Sequence, residues 1–343
     1  MNTNTKAATI KDVARLAGCS IKTVSRVIND EPYVTEETRL KVREAIKQLG
    51  YAPNISARRL VQQRSYVICI LLHSAGFYQS AVLSKVLEIG YEQNYDILIQ
   101  NYYPSHGKSK KKLESLIHER RIDGLVTTPP CDVDEFIIDL LSTSNIPLVQ
   151  ITPFNRTGNT PFVTGDDYQG AMMITEKLIE FGHKRIFFLS GPRNHRTSID
   201  RQYGYRAAMD SHQLKIEDDW ILESEFNFDG GYTAAKIAMS RSITPTAFFA
   251  GSDEAALGAL YALQELKIKV PQEVSVCGFD DTVHSKHTWP GLTTVHHPID
   301  QIVDKATYLL LDILDGKQPD QMQVVVPSRM ILRGSIGEAI TRV

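Results

Sequence analysis

The stretch that decides the reading is Thr9-Ile10-Lys11-Asp12-Val13-Ala14-Arg15-Leu16-Ala17-Gly18-Cys19-Ser20-Ile21-Lys22-Thr23-Val24-Ser25-Arg26-Val27-Ile28-Asn29. It reads as a helix, a tight turn and a second helix. Thr9 caps the first helix, and Asp12 three residues on completes a capping box. Ala14 and Ala17 are small enough for a second helix to come close. Gly18 supplies the left-handed residue that ends the helix. Ser20 opens a second helix whose Val24, Val27 and Ile28 share one face, leaving Ile21, Lys22, Ser25 and Arg26 on the other. That N-terminal end is the one a helix-turn-helix presents to the major groove. A third helix runs from a Thr35 cap to Leu49, where Gly50 stops it. Leu40, Val42, Ile46 and Leu49 are expected to close a three-helix core.

Charge supports a nucleic-acid role for this head over a generic bundle with a solvated basic face. Residues 1–64 carry 12 Lys and Arg against 6 Asp and Glu, out of chain totals of 38 and 40. A net charge of −2 therefore hides a basic head on an acidic body, and a basic head suits phosphate contact. Outward from the head comes Tyr51-Ala52-Pro53-Asn54-Ile55-Ser56-Ala57-Arg58-Arg59-Leu60-Val61. Pro53 breaks the third helix and Asn54 can cap a short new one. At about two turns such a helix is marginal alone and forms only against a partner. Arg58 and Arg59 suit phosphates, and Leu60 suits a minor-groove wedge. An ordinary polar linker fits the same residues equally well.

The rest of the 343 residues alternates apolar strands with amphipathic helices. Strands are expected at 67–72, 96–100, 124–127, 147–151, 185–189, 247–250 and 274–278, with helices between. That alternation argues for an α/β body of two doubly wound parallel-sheet lobes, with a ligand cleft at the carboxyl ends of their strands. No run of 18 apolar residues exists, so no membrane span is expected. The N-terminus lacks a hydrophobic signal region, which points to the cytoplasm. Cys19, Cys69, Cys131 and Cys277 are scattered without a CxxC pair and read as small apolar residues. No cofactor or metal motif appears. No nucleophile elbow or phosphate loop argues for an enzyme. Asp280-Asp281, read as neighbours on a strand, would face opposite ways rather than converge on one bond.

The head pattern, with Gly-Tyr-x-Pro-Asn-x-x-Ala-Arg-x-Leu after it, resembles the LacI/GalR family of bacterial transcription regulators. The body extends the resemblance through Phe181-Gly182-His183-Lys184-Arg185-Ile186, Arg201-Gln202-Tyr203-Gly204-Tyr205, Gly251-Ser252-Asp253-Glu254, Gly278-Phe279-Asp280-Asp281 and Pro290-Gly291-Leu292-Thr293-Thr294-Val295. The resemblance implies a helix-turn-helix domain at 1–53, a hinge helix and linker at 54–65, and a periplasmic-binding-protein-like effector and dimerisation domain at 66–343. Lobe 1 is then about 66–164 with 297–326, and lobe 2 about 165–296 with 327–343. Ile21, Lys22 and Arg26 would read bases. Thr23, Ser25, Asn29 and Tyr33 would lie against backbone or base edges, and Ala57 and Leu60 at the central step. Val61 stands where some relatives carry a lysine, which removes one contact.

In the cleft, Arg201 would fork hydrogen bonds onto neighbouring hydroxyls or a carboxylate, Asp280 would accept from sugar hydroxyls, and Ser252 would be a small polar contact. Phe226 would pack on the ligand ring, His195 and Thr197 would select the effector, and Ser74, Phe77 and Tyr78 would form the opposite wall. Each has a plainer use: Phe226 as core, His195 as surface, Arg201 and Asp280 as an internal ion pair. Asp166-Asp167 reads as a turn capping the next helix. His296-His297 departs from a Gln-Pro frequent in relatives; it could bring a titrating group to the hinge between lobes, and reads more simply as exposed crossover. The function implied is a repressor of carbohydrate-utilisation genes, a homodimer released from a pseudo-palindromic double-stranded DNA operator by a sugar. A corepressor-dependent sensor of a nucleobase and a sugar-binding protein without regulatory role are the alternatives. Only ten residues follow Arg333, too few for a tetramerising helix.

Overall fold

The computed structural model describes residues 8–28, 31–51, 64–73, 76–103 and 105–340. Asn29, Ala57, Leu60, Ser74 and most of the expected hinge segment fall outside them. The chain divides into two compact units, Met1–Ser65 and Tyr66–Val343.

In the first unit three helices, α1 (Ile10–Leu16), α2 (Ile21–Ile28) and α3 (Glu36–Leu49), enclose one small core. The Thr9 amide donates to Asp12 Oδ2 at 3.0 Å, closing the capping box. Gly18 takes φ +64°, a turn an L side chain resists. Ser20 Oγ accepts from the Thr23 amide at 3.1 Å at the head of α2. Thr35 caps α3, and Gly50 ends it at φ +56°. Val13, Ala14, Val24, Val27, Val42 and Ala45 are the buried set. Leu40 is not part of it: the side chain is 60% exposed. Its place is two residues before the buried Val42, on the far side of α3, and Ala45 occupies the inner position instead.

The second unit holds two parallel sheets. The six-stranded sheet runs β2 (Asp96–Asn101), β1 (Val67–Leu72), β3 (Gly124–Thr127), β4 (Leu148–Ile151), β5 (Phe162–Gly165), β11 (Gln323–Val326). One face is covered by α4 (Phe77–Glu92) and α11 (Ile299–Leu314), through Val82, Val86 and Ile89 against Val303, Ala306 and Leu310. The other face packs on Leu113 and Ile117 of α5 (Gly107–His118) and Ile137 of α6 (Glu135–Thr143). Burial on both faces explains why β1 is continuously apolar.

The four-stranded sheet runs β7 (Ile221–Glu223), β6 (Ile186–Ser190), β8 (Ala247–Ala250), β9 (Ser275–Cys277). Around it lie α7 (Asp167–Glu180), α8 (Arg196–Ser211), α9 (Phe228–Met239) and α10 (Asp253–Glu265). Glycines bring these helices together. A Cβ on Gly204 would lie 2.2 Å from Tyr168 O, and one on Gly231 2.0 Å from Ala255 O.

The chain passes between the sheets three times: from β5 into α7, from β10 (Thr294–His296) into α11, and from β11 into β12 (Arg329–Ile331). β10 and β12 pair antiparallel beside the crossings. A Cβ on Gly165 would lie 2.4 Å from the His297 ring, so two crossings touch there.

Candidate functional site

Between the two sheets lies a cavity of about 760 Å³, of the size that takes a small metabolite. Strand ends and helix starts supply its lining, as the doubly wound topology requires. From the first lobe come Phe77 and Tyr78 at the start of α4, with Thr152 after β4. From the second come His195, Thr197, Arg201, Phe226, Ser252 and Asp280.

Arg201 organises the floor. It is only 4% exposed. Its Nε and Nη2 each donate to Asp167 Oδ1 at 2.8 Å, and Nη1 donates to the Gly251 carbonyl. Asp280 Oδ1 stands 3.4 Å from Nη2. The guanidinium lies on the Phe279 face, 3.7 Å from its centroid, with Phe226 at 5.5 Å. Burying a cation this deeply demands such partners. The internal pairing therefore exists, and it presents Arg201 and Asp280 together at the cavity. Asp166 caps α7 by accepting from the Gln169 amide at 3.1 Å, as read. Asp167 does something else: it is the main anchor of Arg201, which the sequence reading missed. Its signal was an acid just past a wholly buried strand, pointing away from the cap.

Asp280 has φ +116° and forms an isolated bridge to His296 instead of continuing β9. Burial first, then repulsion from Asp253 and Asp167, pushes its carboxyl up to about 8, with Arg201 opposing. Asp281 turns away to Arg333 and to His296 Nδ1 at 3.1 Å. The two acids diverge, but through left-handed backbone after a strand rather than alternation along one.

Phe226 is half-buried, seated on two glycines. A Cβ on Gly191 would lie 2.1 Å from its ring, and one on Gly251 3.2 Å. His195 meets it edge-on, with centroids 5.7 Å apart. Burial, then Arg201, lowers the His195 imidazole to about 4, leaving it neutral at neutral pH. Ser252 Oγ accepts from the Ala255 amide at 3.2 Å, capping α10 while its hydroxyl proton remains available. On the opposite wall Tyr78 Oη lies 3.1 Å from Thr152 Oγ1, and burial raises its phenol to about 12. Phe77 stacks edge-on against His284 of the second lobe at 4.5 Å.

His297 is not an exposed crossover residue. It is 2% exposed, lines the cavity, and neither ring nitrogen has a hydrogen-bond partner among the described residues. Burial drives its proton affinity well down. A doubled His at a strand end gave no sign of which ring would turn inward. A tight ion pair, Arg156 to Asp200 at 2.9 Å, joins the segment after β4 to α8 across the lobes.

In the head, Ile21 is 45% exposed and Tyr33 82%. Lys22 is also exposed, while Thr23, Ser25 and Arg26 are half-exposed, with Arg26 Nε 3.6 Å from Glu31. The solvent face of α2 thus carries the polar and basic set opposite buried Val24 and Val27.

A helix-turn-helix unit on one chain with a two-lobed ligand-sensing body defines a ligand-responsive DNA-binding regulator. Comparison with known proteins agrees. Residues 9–54 match the family described as bacterial regulatory proteins, lacI family, and residues 175–336 match a periplasmic binding protein-like domain. The HTH-type transcriptional repressor PurR of Escherichia coli O1:K1 is 33% identical over 333 residues, covering 96% of this chain and 97% of that protein. The lac repressor dimer bound to operator and the anti-inducer ONPF superposes with a TM-score of 0.81 at 26% identity, over 97% of this chain and 100% of that one. The transcriptional regulator CelR in complex with cellobiose does so at 0.74 and 26%, over 96% and 99%. The chain belongs to the LacI family of bacterial transcription regulators. It is a regulator and not an enzyme.

Proposed function

We propose that this regulator is a cytoplasmic homodimeric repressor whose body binds a sugar and whose heads then leave a pseudo-palindromic operator. The observation that carries the reading is the Arg201–Asp280 pair, held at the floor of the interlobe cavity beside the Phe226 ring. A guanidinium edge and a carboxyl group side by side suit vicinal hydroxyls, and an aromatic face suits the apolar side of a pyranose. Ser252, Thr197 and His195 line the same wall; Phe77 and Tyr78 face them, with Ser74 expected nearby. In the heads Ile21, Lys22 and Arg26 read base edges. Thr23, Ser25, Asn29 and Tyr33 position the backbone, and Ala57 and Leu60 act at the central step.

The mechanism is a linked equilibrium: one arrangement of the lobes favours paired heads on DNA, and the effector favours the other. Only a difference in affinity between the two moves the balance. Shifting it from 1:99 to 99:1 takes about 5.5 kcal/mol. The test is thermal-shift screening against sugars and nucleobases, repeated with Arg201→Ala and Asp280→Ala. A sugar that stabilises the protein and loses its effect in both variants supports the reading. A hit that survives both removes the cleft assignment, and stabilisation by hypoxanthine instead of a sugar moves the effector to the nucleobases.

A further inference from the structure

The electrostatics of the cleft narrow the effector beyond the word sugar. The acidic side chains lining it are Glu225, Glu254, Asp281 and Asp300, with Asp280 raised to about 8 and so mostly protonated at neutral pH, and among the described residues the one cation is Arg201. That cation is already committed to Asp167, Asp280 and the Gly251 carbonyl. Arg156, behind the floor, is held by Asp200, and Arg333 by Asp281. Among the described residues, the lining offers no positive charge free to meet an anion. A phosphate or carboxylate entering here would be stripped of water beside an excess of carboxylates, an arrangement that is strongly unfavourable.

One group is left waiting for a partner. His297 is buried at the crossing between lobes, lines the cavity, and among the described residues has no hydrogen-bond partner for either ring nitrogen. A neutral imidazole offers one donor and one acceptor. Tyr78 and Phe279 hold the ring from two sides at 6.1 Å, Gly165 meets its edge, and Asp167 Oδ1 stands 4.0 Å from Nδ1. His296, its neighbour, faces Asp281 instead. A buried polar ring without a bond is costly unless something supplies one.

We infer that the effector is an uncharged, hydroxyl-bearing molecule that reaches the hinge and hydrogen-bonds His297, and that phosphorylated or carboxylate-bearing analogues are rejected. The inference rests on the effector-cleft reading above. His297 thereby acts as a specificity-determining contact, and the acidic lining acts as a charge filter.

The experiment is isothermal titration of the full-length protein with matched pairs: D-ribose and D-ribose 5-phosphate, D-glucose with D-glucose 6-phosphate and D-gluconate, inosine and inosine 5′-monophosphate, and cellobiose and cellobionate. Whichever scaffold binds, its uncharged form is expected to bind at least about a hundredfold more tightly than its anionic form. The exposed-rim variant Glu225→Gln/Asp300→Asn is expected to narrow that ratio. His297→Leu is expected to lose at least about tenfold in affinity for the uncharged ligand, and His297→Gln to recover part of it. An anionic analogue binding as tightly as its neutral partner overturns the charge filter. Unchanged affinity in a folded His297→Leu protein overturns the contact. Binding by no compound, charged or neutral, removes the effector reading itself, and this inference with it.

Discussion

Gly165→Ala tests the packing of the hinge with a single methyl. Gly165 ends β5 at the first crossing, and its backbone is not in the left-handed region, so alanine meets no conformational objection. Replacing glycine in a compatible backbone would by itself gain about 0.4–1 kcal/mol from the unfolded state. The obstacle is steric and specific: the new Cβ would sit 2.4 Å from His297 Cε1 and 2.7 Å from Nδ1. Carbon atoms prefer about 3.5–4.0 Å, so the ring must retreat by about 1 Å. It has little room, being enclosed by Tyr78, Phe279 and Asp167. Overpacking of this kind costs about 1–3 kcal/mol. Set against the unfolded-state gain, the net loss is up to about 2.6 kcal/mol, and with an m-value near 3 kcal/mol/M the urea midpoint falls by up to about 0.9 M. The decisive comparison is the double-mutant cycle with His297→Ala. Once the ring is gone, the same glycine substitution is expected to cost less than about 0.5 kcal/mol. An equal loss in both backgrounds would refute the contact and with it the placement of His297 at the crossing.

Other outcomes follow from the same contacts. Arg201→Ala leaves Asp167 buried without its cation and is expected to cost about 3–5 kcal/mol in urea unfolding, besides abolishing effector binding. Asp280 has a folded-state pKa raised to about 8, above the ordinary carboxylate value near 3.9, so the folded state holds the extra proton between those pH values. Its contribution is complete at low pH and declines as pH rises to about 8. Wild-type stability measured against Asp280→Asn should therefore fall across that window, and a flat difference would reject the raised value. In the head, Leu40→Ser should change stability by under about 0.5 kcal/mol, whereas Val42→Ala should cost about 2 kcal/mol. Lys22→Ala and Arg26→Ala should each relax base preference at one position of each half-site, costing about 1–3 kcal/mol on the selected duplex and much less on random duplexes.

The parts of the fold that were legible in the sequence are those where one physical rule acts alone. The caps and turns of the head follow from Thr9, Asp12, Gly18, Thr35 and Gly50, whose chemistry permits few conformations. β1 and β6 are doubly covered and so continuously apolar. The short strands β5, β7, β10 and β12 carry three to four residues of mixed polar and apolar type, too few for a period to show, whereas the equally short β8 stands out as an uninterrupted apolar run. Leu40 was misjudged because a helix with many charged residues leaves several plausible apolar stripes, and only tertiary packing chooses among them. In the cleft, Arg201, Asp280 and Phe226 were named through family resemblance. Asp167 and His297 were passed over because each sits beside a like residue, and backbone geometry alone determines which of the two turns inward.

The central claim is that occupancy of the cleft governs the hold of the heads on DNA. The most direct measurement is a fluorescence-anisotropy titration of a selected palindromic duplex, with and without the sugar retained in the thermal-shift screen, for the wild type and Arg201→Ala. The account expects saturating sugar to weaken wild-type operator binding by about five- to 150-fold and to leave the variant's affinity unchanged. A sugar that demonstrably fills the cleft while operator affinity stays the same would contradict it.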